Sequence, residues 1–505
     1  MRLDTARGAS DTYATTLPLF SVCPAMSPRS RLLSGALLLG AGALLAALLF
    51  GPLAAWPNAL ATPLLGGGTG RVADWAVRAP EANGLRWAGS WPEWFVLAPL
   101  FAIVLLILLY TGRHYGFTLN RLFGTQRHPY ATLDTMDWPR VTVLVPAHNE
   151  ETVVADALHA LLASDYPEGR LVVMPVNDRS SDGTRARIDA VAAAHPGRLQ
   201  PFHRESGAPG KAAALADACR LVDTPVVLIF DADYVPGRDL VKQLVAPFAD
   251  PQVGAVMGRV VPQNGARNLL TRLLELERAG GYQVDQQARM NLGFVAQYGG
   301  TVGGIRMRAL YDVGGWDPAT LAEDTDLTCR LAVRGWTIAY SNRFECYEEV
   351  PETWAVRRRQ ISRWAKGHTH AMRTHSARLA RTPYLRLAAR LDALMLMGVY
   401  AMPPLVLVGW GLALLAFYLG LVPVHGLLAV LAVAVYNTSG NFAVFFEIAT
   451  AVRLDGTRRR ARLLPLSALG FLVSLTAVSD AVVRQLFGLD KAFVWNKTER
   501  FRTAR

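Results

Sequence analysis

Val226-Val227-Leu228-Ile229-Phe230-Asp231-Ala232-Asp233 decides how this chain is read. Its apolar, largely β-branched run predicts a buried strand. The run stops at two carboxylates separated by one small residue. Side chains at i and i+2 of an extended chain point the same way, so Asp231 and Asp233 both face one crevice at the strand's carboxyl end. Hard carboxylate oxygens suit Mg²⁺ or Mn²⁺, ions commonly shared with a diphosphate. An acidic turn after a strand explains the same residues, so the neighbouring segments have to decide.

Upstream, Val141 to Val145 reads as a strand ended by Pro146-Ala147-His148-Asn149-Glu150-Glu151. Asn149 is the expected N-cap of a helix running to about Ala163. Leu171 to Val176 is a second strand, closed by Asn177-Asp178, and Ser180 to Thr184 turns into another helix. Leu199 to His203 suggests a third strand, followed by Gly207-Ala208-Pro209-Gly210-Lys211 and an alanine-rich helix. Such alternation predicts a parallel sheet covered on both faces, with ligands outside the carboxyl ends of the strands. Pro146 to Glu150, Asp178 and the Asp231/Asp233 pair fall at three of those ends. Gly207 to Lys211 is not a P-loop, because Glu205 stands where its first glycine belongs and Ala212 follows the lysine. Lys211 at a helix start can still point its ammonium at an anion, although a surface lysine after a glycine turn fits as well.

The 505 residues have room for two or three structural units. Hydrophobic residues make up 51% and the mean hydropathy is +0.21, high for a wholly soluble protein. They cluster in Arg31–Trp56, Trp94–Tyr110, Leu394–Leu421, Val424–Val452 and Leu463–Val482, near the ~20 residues that span a bilayer. The first run is read as an uncleaved anchor rather than a signal peptide. Pro403-Pro404 should break the third, leaving an interfacial helix before the crossing. The net charge of +12 is not a nucleic-acid signal. Much of it lies between Arg357 and Arg390, next to spans, where basic residues mark the cytoplasmic side and anionic headgroups. Cys23, Cys219, Cys329 and Cys346 form no zinc or disulfide pattern, in keeping with a reducing cytoplasm.

The expected organisation is an irregular cytoplasmic leader (1–30), two transmembrane helices with an external loop (31–111), a cytoplasmic catalytic domain with interfacial helices (112–385), about three transmembrane or re-entrant helices (386–490) and a basic tail (491–505). The basic stretch Arg453 to Arg462 and the basic tail give opposite answers for the side of the C-terminus, which stays open.

Taken together, Val143 to Glu151, Asn177-Asp178 with Asp182-Gly183-Thr184, Gly210-Lys211 and Asp231-Ala232-Asp233 resemble family-2 glycosyltransferases. The fold implied is an α/β GT-A domain, a Rossmann-like mixed sheet, here flanked by transmembrane helices. Glu323-Asp324 and the complete QxxRW of Gln360-Ile361-Ser362-Arg363-Trp364 resemble the membrane-embedded processive branch of cellulose, hyaluronan and poly-N-acetylglucosamine synthases. The likeness covers roughly residues 140 to 370.

By that resemblance Pro146, Ala147, Glu150, Asp178, Lys211 and Asp231 bind the nucleotide sugar, and Asp233 holds Mg²⁺ or Mn²⁺. Asp324 is the general base. The acidic first turn of a helix is the plain alternative for Glu323-Asp324, and both can hold. Ala322 replaces the family's usual threonine before Glu-Asp, costing a hydroxyl but no carboxylate. Gln360, Arg363 and Trp364 would serve the diphosphate and the acceptor, against an alternative as an amphipathic interfacial helix. Arg357-Arg358-Arg359 are assigned to that alternative. Gly299-Gly300-Thr301-Val302-Gly303-Gly304 corresponds to the acceptor-site floor, or is a plain loop. His368 and His370 are expected to be solvated or lipid-facing and receive no role.

The activity implied is that of a multi-pass, bacterial-type inner-membrane enzyme with a cytoplasmic catalytic domain. It would be an inverting β-hexosyltransferase moving sugar from a nucleotide-diphosphate sugar, UDP-GlcNAc or UDP-Glc, to a growing exported polysaccharide. A non-processive enzyme acting on a lipid acceptor is the alternative. A scaffold or nucleotide sensor with a dead site is disfavoured by the full set of spaced carboxylates. Partners would be the nucleotide sugar, a polysaccharide or glycolipid acceptor, membrane lipids and export subunits, with no nucleic acid.

Overall fold

A computed structural model describes residues 94–130, 137–418 and 443–489. The leader, the span at 31–56, most of that at 424–452 and the basic tail lie outside the described residues.

Eight strands form one sheet in the order β3-β2-β1-β4-β7-β6-β8-β5. They are β1 (Val141–Ala147), β2 (Leu171–Asp178), β3 (Phe202–Arg204), β4 (Val226–Ile229), β5 (Val235–Pro236), β6 (Val253–Pro262), β7 (Gly303–Arg306) and β8 (Thr337–Glu348). β3, β2, β1 and β4 run parallel, with Val141 level with both Leu171 and Val226. β7 is antiparallel to β4 and β6, and β5 is antiparallel to β8. The sheet is therefore mixed, as the GT-A resemblance implied, and not wholly parallel as strand–helix alternation alone suggested. The antiparallel pairings come from β7, which lies between β4 and β6 and runs against both, and from the short β5 at the edge.

β1 and β4 are buried almost throughout. That explains their continuous apolar runs, since helices cover both faces of a sheet's centre. An apolar helix, α1 (Trp94–Phe123), precedes the sheet, and the covering helices include α2 (Val154–Leu162), α3 (Thr184–Ala194), α4 (Lys211–Cys219) and α5 (Leu269–Ala279). Asn149 is not an N-cap. Helix α2 begins at Val154, while Asn149 takes a positive φ of 57° and its side-chain oxygen accepts from the Ser181 N–H at 2.7 Å. The asparagine ties the β1 end to the β2 end, leaving α2 without a side-chain cap.

Beyond the sheet come α6 (Glu323–Val333), α7 (Trp354–Arg381), α8 (Leu387–Gly398), α9 (Met402–Tyr418) and α10 (Ser467–Leu486). Phe95–Phe123, Leu387–Ala416 and Arg459–Leu486 are long and apolar enough to cross a membrane. The first continues unbroken past residue 111 to Phe123. In the second, the irregular turn is at Val399–Ala401, just before Pro403-Pro404. Both prolines occupy the first turn of α9, where a missing N–H costs nothing.

Helix α7 packs on α10 through Ile361 and Ala365 against Ala477, Val478, Ala481 and Val482. Arg113 on α1 donates from Nε to Asp392 on α8 at 2.7 Å and pairs with Asp285 at 3.1 Å. These contacts fasten the apolar helices to the sheet domain.

Candidate active site

The carboxyl ends of β1, β2 and β4 converge on one cleft of about 880 Å³. Every site residue expected from the sequence lines it: Pro146, Ala147, Glu150, Asp178, Lys211, Asp231, Asp233, Asp324, Gln360, Arg363 and Trp364. Residues as far along the chain as Asp324 and Trp364 reach the same space, because the glycine turn leads into β7 beside β4, and α6 and α7 close over it.

Asp178 is held tightly. Arg204 reaches its Oδ1 at 2.8 Å, Arg179 donates from Nε to the same oxygen at 2.9 Å, and the Gly210 N–H donates to Oδ2 at 3.3 Å. The His148 ring is 2.7 Å from the Asp178 carbonyl oxygen. Charge-assisted hydrogen bonds of this kind fix the position of a carboxylate.

Asp231 emerges as β4 ends, and its backbone N–H donates to the Thr301 hydroxyl at 3.0 Å. Asp233 is deeply buried, whereas Asp231 keeps 29% of its side chain exposed. Lys211 caps the other side, with Nζ 2.5 Å from Asp231 Oδ1 and 3.6 Å from Glu323 Oε1. Burial alone would lower the Lys211 ammonium, yet Asp231 and Glu323 together hold it above its ordinary value. The lysine thus stays charged beside two acids, the state needed to meet a diphosphate.

Among the described residues no three His, Cys, Asp or Glu side chains form a ready metal cage. Asp231 and Asp233 fit the way Mg²⁺ is usually held, by one or two carboxylates with substrate phosphates and water completing the shell.

Glu323 and Asp324 open α6 as its acidic first turn. Burial raises the carboxyl of Asp324, with the Thr325 N–H and Lys211 acting against the rise. Burial also raises Glu323, opposed by Lys211 and reinforced by Asp324. The Thr325 N–H donates to Asp324 Oδ1 at 2.6 Å. A β-carbon on Gly300, whose φ is +73°, would stand 3.1 Å from the Asp324 Cβ. Glycine is required there by both conformation and approach. Gly299 and Thr301 line the cleft, while Gly303 and Gly304 belong to β7. Ala322 packs against Gly367 of α7, where an added Cβ would lie 2.6 Å from the Ala322 Cβ.

Two expectations for α7 are corrected. Arg357 is not interfacial: its side chain is 4% exposed, it pairs with Glu277 at 2.6 Å, and it donates to Gln360 Oε1 at 3.0 Å. Its guanidinium lies 5.4 Å from the Trp364 ring centroid, and that of Arg278 lies 5.1 Å away. Arg278 is itself locked to Glu348 at 2.7 Å. Nor is His368 solvated or lipid-facing. It is buried, lines the cleft, and sits 3.1 Å from the Thr325 hydroxyl. Both were misread because Arg357 meets Glu277 of α5, and His368 meets Thr325 of α6 and Tyr400, partners that the composition of α7 does not reveal.

Residues 139–367 match the family described as "Glycosyltransferase like family 2". The mixed sheet with its converging strand ends is a fold of GT-A type, and this segment is similar to family-2 glycosyltransferases. "Probable glycosyltransferase YdaM" of Bacillus subtilis is 35% identical over 236 residues, 46% of this chain and 56% of that protein. "Beta-monoglucosyldiacylglycerol synthase" of Synechocystis sp. is 32% identical over 280 residues, 55% of this chain and 56% of that protein. This chain therefore spans only about half the length of either relative. The structure of the mannosyltransferase PcManGT from Pyrobaculum calidifontis, in complex with GDP-Man and Mn²⁺, superposes with a TM-score of 0.51. It is 23% identical and covers 79% of this chain and 99% of its own, a likeness of fold.

Proposed function

We propose that the chain is a membrane-bound, inverting hexosyltransferase. It would move sugar from a nucleotide-diphosphate sugar to a hydroxyl of an acceptor that reaches the cleft from the membrane, a lipid or glycolipid. The observation that carries this reading is the composition of the cleft from end to end. One end holds the Asp178, Lys211 and Asp231/Asp233 corner, suited to a nucleotide diphosphate. The other holds Met395, Leu396, Val399 and Tyr400 from the apolar helical segment Leu387–Ala416. An apolar wall continuous with a membrane-length helix suits an acceptor with a lipid body. The relative named as a glucosyldiacylglycerol synthase supports a lipid acceptor as well.

In this reading the base sits against Pro146 to Glu150 and Asp178, and Lys211 faces the diphosphate. A Mg²⁺ or Mn²⁺ ion on Asp231 and Asp233 would neutralise leaving-group charge. Asp324 takes the proton from the acceptor hydroxyl as its oxygen bonds to the anomeric carbon. The bond from that carbon to the diphosphate oxygen breaks, and the nucleotide leaves with the electron pair. Attack from the opposite face turns an α-linked donor into a β-linked product. Its raised carboxyl makes Asp324 a stronger base once ionised. Arg363 and Gln360 line the approach to the diphosphate, and Trp364 offers a ring edge to the acceptor sugar.

A second reading, export of a growing polysaccharide, is favoured by one observation. The complete Gln360-x-x-Arg363-Trp364 run lines the same cleft beside the apolar helices, where a polymer could pass from acceptor site to membrane.

Purified protein in nanodiscs with Mn²⁺ and radiolabelled nucleotide sugars separates these readings. Label in extractable lipid is expected, and label in high-molecular-weight polymer would favour the second reading. No transfer from any donor would overturn both. Asp324→Asn is expected to abolish transfer while nucleotide binding persists.

A further inference from the structure

His368 lies four residues beyond Trp364 on α7 and has no task in the scheme above. The residue is 9% exposed, and its ring lies 4.7 Å from that of Tyr400, tilted by 49°. Nε2 is 3.1 Å from the hydroxyl oxygen of Thr325, a fully buried side chain. That hydroxyl is 3.3 Å from Asp324 Oδ1, the same oxygen that receives the Thr325 N–H. Gln297 Nε2 donates to the Thr325 oxygen at 3.2 Å.

The proton positions in this chain follow from counting donors. Burial pushes His368 down to about 4, so the ring is neutral near pH 7 and carries one N–H. Nδ1 is buried with no hydrogen-bond partner. Buried N–H groups without an acceptor are rarer than unpaired acceptors, so the proton belongs on Nε2, where Thr325 accepts it. The Thr325 oxygen then receives two N–H donors, from His368 and Gln297, and fills both lone pairs. Its own proton is left to point at Asp324 Oδ1.

We propose that His368 is a positioning residue for Asp324. By donating from Nε2 it turns the Thr325 hydroxyl onto Asp324 Oδ1, which reserves Oδ2 for the acceptor's proton. Oδ2 faces Gly300, where an added β-carbon would be 3.5 Å away, so bare backbone leaves that side of the carboxylate open. In the opposite tautomer the Thr325 proton would turn to His368, and Asp324 would lose one of its two donors. The proposal rests on the reading of Asp324 as the base.

The test compares His368→Ala, His368→Gln, Thr325→Val and the Thr325→Val/His368→Ala double variant in the full chain, reading kcat and donor KM. His368→Ala should lower kcat about tenfold with donor KM unchanged, the order expected for one hydrogen bond to a charged group. His368→Gln, whose amide N–H can replace Nε2–H, should recover most of it. Thr325→Val should match His368→Ala, and the double variant should be no worse than either single one. Losses that multiply, a glutamine no better than alanine, or an effect on KM alone would overturn the relay. If His368→Ala does not fold, the comparison of wild type, His368→Gln and Thr325→Val decides: glutamine near wild type with valine about tenfold down supports the relay, any other result overturns it. Activity in Asp324→Asn would remove the base itself, whereas an inactive Asp324→Asn with unaffected His368→Ala would remove only the relay.

Discussion

Lys211 Nζ stands 2.5 Å from Asp231 Oδ1, joining the first residue of α4 to the end of β4. The same ammonium reaches Glu323 Oε1 at 3.6 Å, so one cation links the donor corner to the helix that carries the proposed base. Lys211→Met should leave two carboxylates facing a diphosphate without their counter-charge. Nucleotide-sugar affinity is expected to fall about 10- to 100-fold, the order for losing a hydrogen-bonded charge. Titration calorimetry with the donor would show it, and unchanged affinity would remove Lys211 from the binding site.

Asp233 is buried within two residues of Asp231. Chelation of divalent ions should stop transfer, and Mn²⁺ or Mg²⁺ should restore it. Asp233→Asn should raise the Mn²⁺ concentration needed for half-maximal rate by at least about tenfold, because an amide is a weaker ligand than a carboxylate for a hard cation. A metal titration of the two proteins checks this.

Gly300 combines a φ of +73° with a 3.1 Å approach to the Asp324 Cβ. Gly300→Ala introduces roughly 1–2 kcal/mol of backbone strain and pushes on the proposed base. We expect kcat to fall more than about tenfold with a thermal shift of only a few degrees, since a small misplacement is costly in catalysis. Parallel melting and rate measurements distinguish this from loss of fold.

Burial raises Asp324 against the pull of the Thr325 N–H and Lys211. A base works deprotonated, so kcat should climb with pH through a limb above the ordinary value of about 3.9. Removing the positive charge in Lys211→Met should move that limb further up. A limb at or below the ordinary carboxylate range, or a downward move in the variant, would show that another group takes the proton.

Three of the residues that bind the donor in this reading were legible because each lies at the end of its own strand. Pro146, Asp178 and Asp231 follow apolar runs, and a parallel sheet gathers such ends on one edge whatever the details of packing. The i, i+2 spacing of Asp231 and Asp233 likewise needs only an extended backbone. The acceptor side was legible through resemblance, as Glu323-Asp324 and Gln360 to Trp364, but its geometry was not.

What local pattern determined, then, was the strands β1, β2 and β4, the carboxylate edge and the apolar stretches at either end, all set by side-chain periodicity along short stretches. Tertiary structure alone decided which charges are buried and whom they meet. Arg357 became a support for Trp364 and Gln360, and His368 a neighbour of Thr325, because α5 brings Glu277 to the arginine and α6 lies against the histidine. The physical reason is desolvation. A basic helix at a membrane surface and a basic helix packed among others read alike in one dimension, and only the neighbouring helices turn Arg357 and His368 from solvated groups into buried, hydrogen-bonded ones.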